Sequence, residues 1–195
     1  MPHLLLKDLP RYDCLREAAK EFPDLDPSAM EAFLHLLRTG DEVFAVNNHN
    51  LAAHHISDGR FGVLMLLWRC CQPRIAALMG DKPGVAGSRT PAELADAAGV
   101  TRATMTGLID TLERDGFVKR EPNLADRRMM SVSLTAAGEA FLHDFVPGHF
   151  KAISSLMGSL TEIERTTLVR LLGKIQEQAE RLNASRRESP SLAVV

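Results

Sequence analysis

Residues 90–138 read TPAELADAAGVTRATMTGLIDTLERDGFVKREPNLADRRMMSVSLTAAG, and this stretch decides the fold. Thr90-Pro91-Ala92-Glu93 combines a capping hydroxyl, a proline at the first helical position and an acid three residues on, so a helix starts there. Gly99 supplies the left-handed residue that stops it. Thr101 caps a second helix whose Met105, Leu108, Ile109 and Leu112 form one apolar stripe, ended by Gly116. Phe117 to Arg120 then takes on strand character, Pro122 to Arg127 is a polar loop, and Met130, Val132 and Leu134 alternate as a returning strand. Two short helices around a glycine turn, followed at once by a hairpin, predict a helix-turn-helix carrying a wing.

Working outward, a short helix is expected from about Pro10 to Phe22. Asp26-Pro27 opens a long one over about 27–55. Ser57 caps a helix whose body, FGVLMLLWRCC, is apolar nearly all round and therefore buried at the centre of a domain. PRIAALMG adds one or two turns, and the glycine-rich GDKPGVAGSR is read as a loop. Downstream, Thr135 caps a helix from about Ala136 that Pro147 should kink or break. Thr161-Glu162-Ile163-Glu164 opens a last amphipathic helix with Leu168, Leu171, Leu172, Ile175 and Leu182 on one side. The expected organisation is an extension helix (1–25), dimerisation helices (26–56 and 136–183), a winged helix-turn-helix DNA-binding domain (57–135) and a disordered tail (184–195).

The chain has 195 residues, 45% hydrophobic and only 5% aromatic, so its core must be built largely from Leu, Ala, Val and Met. That favours helices over sheets. The expected class is mainly α with a small β-wing, the winged domain being flanked by long dimerisation helices. The net charge of −2 does not announce a nucleic-acid partner. Whole-chain charge is a weak test when one face meets DNA, so the motif carries that argument. The apolar run Val63 to Trp68 is far short of the roughly 20 residues a bilayer demands, and MPHLLLKDLP has no cleavage site. Cys14, Cys70 and Cys71 are odd in number and lack zinc spacing, which fits a reducing cytoplasm. No metal or cofactor is expected. Without a nucleophile elbow, phosphate loop or CxxC, neither is an enzyme.

In a helix-turn-helix the second helix enters the major groove with its N-terminal residues at the base edges. With the apolar stripe inward, Arg102, Ala103, Thr106 and Gly107 face outward. Arg102 suits guanine, where a bidentate pair discriminates by about 1–3 kcal/mol. Thr101, Thr104 and Thr106 suit phosphate oxygens or a thymine methyl. Asp126-Arg127-Arg128 at the hairpin tip is slim enough for a minor groove. The long helices carry more apolar surface than one small domain covers, so a homodimer with two recognition helices about 34 Å apart is expected, matching a pseudo-palindromic double-stranded operator.

The segment resembles the multiple antibiotic resistance regulator (MarR) family: ELADAAGVTRATMTGLIDTLERDGFV is similar to its helix-turn-helix, and DRRMMSVSLTAAG to its wing and following helix. The pattern extends over roughly 27–183, with an extra leading helix and a longer loop near Gly80 to Ser88 as departures. The resemblance implies that Arg128 is the inserted arginine, that Asp126 holds the wing, and that Arg127 and Lys119 meet the DNA backbone. It also implies a response to small aromatic acids, phenolic compounds or oxidants. The pocket would lie between the dimer helices and the DNA-binding domain, with His54, His55, Arg60, Phe61, Met65 and Trp68 as candidates. Cys14 is the candidate redox residue. The reading is a homodimeric, ligand- or redox-responsive transcription regulator, a repressor. A winged-helix interaction module that never touches DNA, and a thiol-based oxidoreductase, stay open as alternatives.

Overall fold

A computed structural model describes residues 8–78, 87–123 and 128–188. The chain divides into two compact units, Met1–Val146 and Pro147–Val195. The first holds α1 (Tyr12–Glu21), α2 (Pro27–Ala53), α3 (Asp58–Cys70), α4 (Pro73–Leu78), β1 (Ser88–Arg89), α5 (Pro91–Ala98), α6 (Arg102–Arg114), β2 (Val118–Pro122), β3 (Met130–Leu134) and the start of α7 (Ala136–Leu156).

The helix starts follow the side chains at their N-caps. The Asp26 carboxylate accepts from the N–H groups of Ser28 and Ala29 at 2.9 and 3.1 Å, opening α2. At α5 the box is reciprocal: Glu93 N–H donates to the Thr90 hydroxyl at 3.3 Å, and Thr90 N–H to the Glu93 carboxylate at 2.7 Å. These bonds satisfy donors that an α-helix leaves unpaired in its first turn.

The helix ends repeat one device three times. Val100 N–H reaches back to Ala95 O and Gly99 N–H to Asp96 O at the end of α5; Phe117 and Gly116 do the same to Leu112 and Glu113 at the end of α6. Gly99 and Gly116 stand at φ 64° and 78°, the left-handed region this closure requires. At the end of α2 the same pair of bonds joins Ile56 to Leu51 and His55 to Ala52, with His55 at φ 57°. A histidine there carries a backbone cost that glycine would not, of about 1–2 kcal/mol. Burial of both Leu51 and Ile56 in the core offsets it.

The core is one cluster around α3. Val63, Leu64 and Leu67 are buried against Leu94 and Ala95 of α5, Met105, Ile109 and Leu112 of α6, and Val132 of β3. The all-round apolar body of α3 thus ends up central, as expected. The sheet is antiparallel in the order β1-β3-β2, with Val118 opposite Leu134 and Pro122 opposite Met130. Ser88–Arg89, read as loop, forms a third strand, pairing Arg89 with Val132. Two residues are too few to show alternation, so only the tertiary edge of β3 turns them into a strand.

The second unit holds the rest of α7, a single 3-10 turn (Met157–Ser159) and α8 (Glu162–Glu188). The Thr161–Glu164 box forms as expected, with bonds of 2.7 and 3.3 Å. Of the kink or break expected at Pro147, the break does not occur: α7 runs through it to Leu156. Proline there removes one backbone donor, while the turns on either side keep their ladder. The tail expected from 184 is still helical to Glu188, because no glycine or proline interrupts the pattern before Pro190. Residues 79–86, 124–127 and 189–195, which include Asp126, Arg127 and most of the predicted loop, lie outside the described residues. No described helix is long and apolar enough to cross a membrane.

Candidate nucleic-acid interface

The outer face of α6 is uncovered. Arg102, Ala103, Thr104, Thr106 and Gly107 are all exposed, whereas Met105, Ile109 and Leu112 are fully buried and Leu108 is half-buried. A Cβ added at Gly107 would meet nothing within 4 Å, so the backbone itself is open to approach at that point. Arg102, Ala103, Thr106 and Gly107 thus stand on the outer side of α6 that its apolar stripe predicts.

The threonine hydroxyls are not equivalent. Thr106 donates to the carbonyl of Arg102 at 2.9 Å, so its hydroxyl proton is already used and its methyl is what it can offer a base. Thr101 accepts from Thr104 N–H at 3.1 Å, and the two hydroxyls share a bond of 2.8 Å. One hydroxyl proton of that pair remains for a phosphate oxygen, beside the positive end of the α6 dipole.

The hairpin is fastened to this helix by a residue the sequence reading passed over. Arg120 on β2 extends one guanidinium nitrogen to Asp110 at 2.5 Å and another to Glu113 at 2.6 Å, while its backbone N–H donates to Glu113 at 3.1 Å. Burial works against the arginine's charge. The hydrogen bond to Asp110 and the charges of Glu113 and Asp110 outweigh it, so the guanidinium holds its proton more firmly than usual. The only sequence signal was an acid pair three apart on the polar side of α6, facing an arginine in the next strand. Lys119, on the opposite side of β2, pairs with Glu121 at 2.9 Å and is half-exposed. At the far end of the described hairpin Asn123 N–H bonds to Met129 O at 2.8 Å, and Arg128 next to it is exposed.

A second fastening sits where β3 turns into α7. Thr135 donates its hydroxyl to Gly116 O at 2.6 Å and accepts from Gly138 N–H at 3.1 Å, while its own N–H reaches Phe117 O at 3.0 Å. A Cβ at Gly138 would lie 2.1 Å from Phe117 O. The Leu-Thr-x-x-Gly spacing therefore has a steric cause: only glycine lets the first turn of α7 press against the end of α6.

The six ligand candidates do not converge on one cavity. His54 and Phe61 pack edge-on against Phe145 of α7, at ring separations of 4.6 and 5.3 Å. The guanidinium of Arg60 is bound to Asp115 at the end of α6 and to the His55 carbonyl. Met65 and Trp68 face elsewhere, into a groove of about 600 Å³ between α3 and the helix-turn-helix. Phe61, Met65 and Trp68 follow i, i+4, i+7 spacing along one flank of α3, so what separates them is position along the helix, while His54 and His55 precede it. Cys14 is exposed on α1, Cys70 is buried, and burial together with the charge of Glu139 pushes the Cys71 thiol up.

Comparison with known proteins agrees with this architecture. The MarR family model matches residues 84–130. The chain is 36% identical to the HTH-type transcriptional repressor YetL of Bacillus subtilis over 173 residues, covering 89% of this chain and 95% of that protein. Among solved structures, Bordetella bronchiseptica BpsR, whose DNA binding is regulated by 6-hydroxynicotinic acid, superposes with a TM-score of 0.57 at 26% identity over 73% of this chain and 91% of that one. Streptomyces coelicolor Sco3205, solved in complex with DNA, shares the fold with a TM-score of 0.65 at 20% identity, over 79% of this chain and 89% of that one. The chain belongs to the MarR family of winged helix-turn-helix transcription regulators.

Proposed function

We propose that this regulator is a ligand-responsive repressor that binds a pseudo-palindromic operator as a homodimer. The observation carrying this reading is the uncovered face of α6, where Arg102, Ala103, Thr106 and Gly107 stand exposed beside a hairpin clamped through Arg120. Arg102 reads a base edge, Thr101 and Thr104 position α6 on phosphate, and Arg128 enters the flanking minor groove, with Asp126, Arg127 and Lys119 supporting the wing and its backbone contacts. Residues 57–135 form the DNA-binding part; 26–56 and 136–183 form the dimer.

Support for the dimer comes from apolar side chains left in water. Phe33 and Val46 on α2 are more than half exposed, as are Val169, Ile175 and Leu182 on α8. Helices with such faces need a partner to bury them. A two-fold axis then sets two copies of α6 about one helical turn of DNA apart.

A planar aromatic acid or phenolic ligand, of the kind named for BpsR, is the proposed inducer class. Such a ligand acts by binding better to a conformation whose recognition helices no longer fit the operator. Repression by promoter occlusion follows, and its relief by the ligand.

Mobility shift of the full chain on DNA from upstream of its own gene, across a salt series, tests the reading. Salt-sensitive binding to a short palindrome at two chains per site is the expected result. Equal binding to random duplex by folded, reduced protein would overturn it.

A further inference from the structure

We propose that Ala103, Thr106 and Gly107 form a thymine-reading hollow on α6, and that Gly107 fixes a thymine at one position of each operator half-site. This deepens the operator-binding reading and rests on it.

Gly107 is the only glycine of α6 (Arg102–Arg114) and lies near the middle of that helix. Its φ is not among the positive ones, so no turn calls for it. Nor does packing: a Cβ added there would meet nothing within 4 Å, whereas at Gly138 it would strike the Phe117 carbonyl. Glycine inside a helix is a weaker choice than alanine, because it surrenders more backbone entropy. A bare Cα that serves nothing within the chain serves a partner outside it, on the exposed side of the recognition helix.

Positions three and four apart adjoin on a helix, so Ala103, Thr106 and Gly107 form one triangle. All three are exposed. Ala103 presents a methyl. Thr106 presents a second one, because its hydroxyl already donates to the Arg102 carbonyl at 2.9 Å. Gly107 presents backbone alone. The result is an apolar hollow with two methyl walls and a bare Cα floor. Asp110 is the next residue along this face, and Arg120 holds its carboxylate at 2.5 Å. The charge that would repel DNA is therefore countered.

In the major groove, thymine alone presents a group that asks for no hydrogen bond, its 5-methyl. A methyl seated in the hollow gains apolar burial on three sides, and the missing Cβ lets it approach the helix backbone. The amino groups of adenine and cytosine, and the O6 of guanine, would lose water at the same place without meeting a partner. Selection of thymine thus comes both from the fit of its methyl and from the penalty on the other bases.

The DNA upstream of the protein's own gene is synthesised twice, once with thymidine and once with deoxyuridine, which lacks only the 5-methyl. Mobility shift of the full chain then compares the two fragments. The uracil fragment should bind about fourfold more weakly per half-site, the value of one buried methyl-sized group. Replacing thymines singly should locate that loss at one position in each half-site. Gly107→Ala puts a methyl where that of thymine sat. It should raise the thermal midpoint by about 2–4 °C, weaken binding to the thymine fragment and bring the thymine-to-uracil affinity ratio to one or below. Thr106→Ser keeps the hydroxyl bond and removes one wall, so it should reduce the ratio without abolishing it. Equal binding of the two fragments by the unmodified protein would overturn the proposal, as would an unchanged ratio in Gly107→Ala. A loss spread evenly over the site would mark a change of duplex shape and overturn it too. Binding of both fragments no tighter than that of random duplex would instead overturn the operator-binding reading on which the hollow rests.

Discussion

Arg120 grips Glu113 twice, its backbone N–H donating to one carboxylate oxygen at 3.1 Å and its guanidinium to the other at 2.6 Å. Glu113 belongs to the proposed recognition helix and Arg120 to the strand that leads into the wing, so the pair ties the two elements into one body. Arg120→Gln should lower unfolding free energy by about 1–2 kcal/mol, between a surface ion pair and a charge-assisted buried bond. It should weaken operator binding as well, because the wing loses its fixed angle to α6. A double-mutant cycle with Glu113→Gln checks the pairing; additive effects would show that the two residues act separately.

Gly138→Ala isolates the corner after β3. The new Cβ would fall 2.1 Å from Phe117 O, a backbone atom that cannot swing away. A loss of roughly 3 kcal/mol is expected in urea unfolding, at the upper end of overpacking effects. Gly62→Ala, in a helix with open space around it, should be stabilising by about 0.5–1 kcal/mol. The contrast between two glycine-to-alanine changes in helices measures the close approach directly.

Arg102→Ala removes an exposed side chain and should leave the thermal midpoint unchanged, whereas Arg128→Ala, also at the surface, should cost no more than a surface contact, about 1 kcal/mol. Arg102→Ala should cost about 1–3 kcal/mol in operator binding and relax the preference at one base pair. Arg128→Ala should lower affinity and reduce the slope of log K against log salt by about 1 if its contact is a phosphate. A larger loss confined to A·T-rich flanks would mark insertion into the minor groove instead.

Ile175→Asp tests the dimer. Ile175 is 51% exposed in the single chain, so a monomer should tolerate the charge. In a dimer that buries it, the unpaired carboxylate should shift sedimentation toward monomer and make the thermal midpoint depend more steeply on protein concentration. An unchanged sedimentation coefficient would remove α8 from the interface.

Two caps set an acid limit. Hydrogen bonds from the Ser28 side chain and the Ala29 and Ser28 backbones hold the Asp26 carboxyl below its ordinary value, and those from the Thr161 backbone and side chain do the same for Glu164. A depressed folded-state pKa contributes stability that is present above the ordinary carboxylate value, about 4, and lost as pH falls through the lowered one. Asp26→Asn with Glu164→Gln should therefore lose less thermal stability between about pH 6 and pH 3 than the unmodified chain does. Calorimetry across that range checks the sign; parallel curves would mean the caps do not titrate on unfolding.

Much of this molecule was legible because its signals are local. A cap is a relation between residues three apart, a helix stop is a glycine at one position, and an apolar stripe repeats within two turns. Thr90, Gly99, Thr101 and Gly116 therefore define the helix-turn-helix locally, and the outward set Arg102, Ala103, Thr106 and Gly107 follows from helical geometry alone. Local signals were also incomplete: of the kink or break that Pro147 allows, α7 shows no break, and His55 takes a left-handed conformation where glycine is the common choice.

By itself, then, the sequence determined the order of the helices and the hairpin, the starts and stops of the helix-turn-helix, and the exposed face of α6, since each is written in spacings shorter than a few helical turns. Tertiary structure decided what joins separate elements: Arg120 to Asp110 and Glu113, Gly138 to Phe117, Arg60 to Asp115, and Ser88–Arg89 to the edge of β3. It also sent Met65 and Trp68 into a groove that His54 and Phe61 do not share. Such pairings depend on how helices and strands pack in space, and no period along the chain encodes a contact between residues whose neighbours do not repeat it.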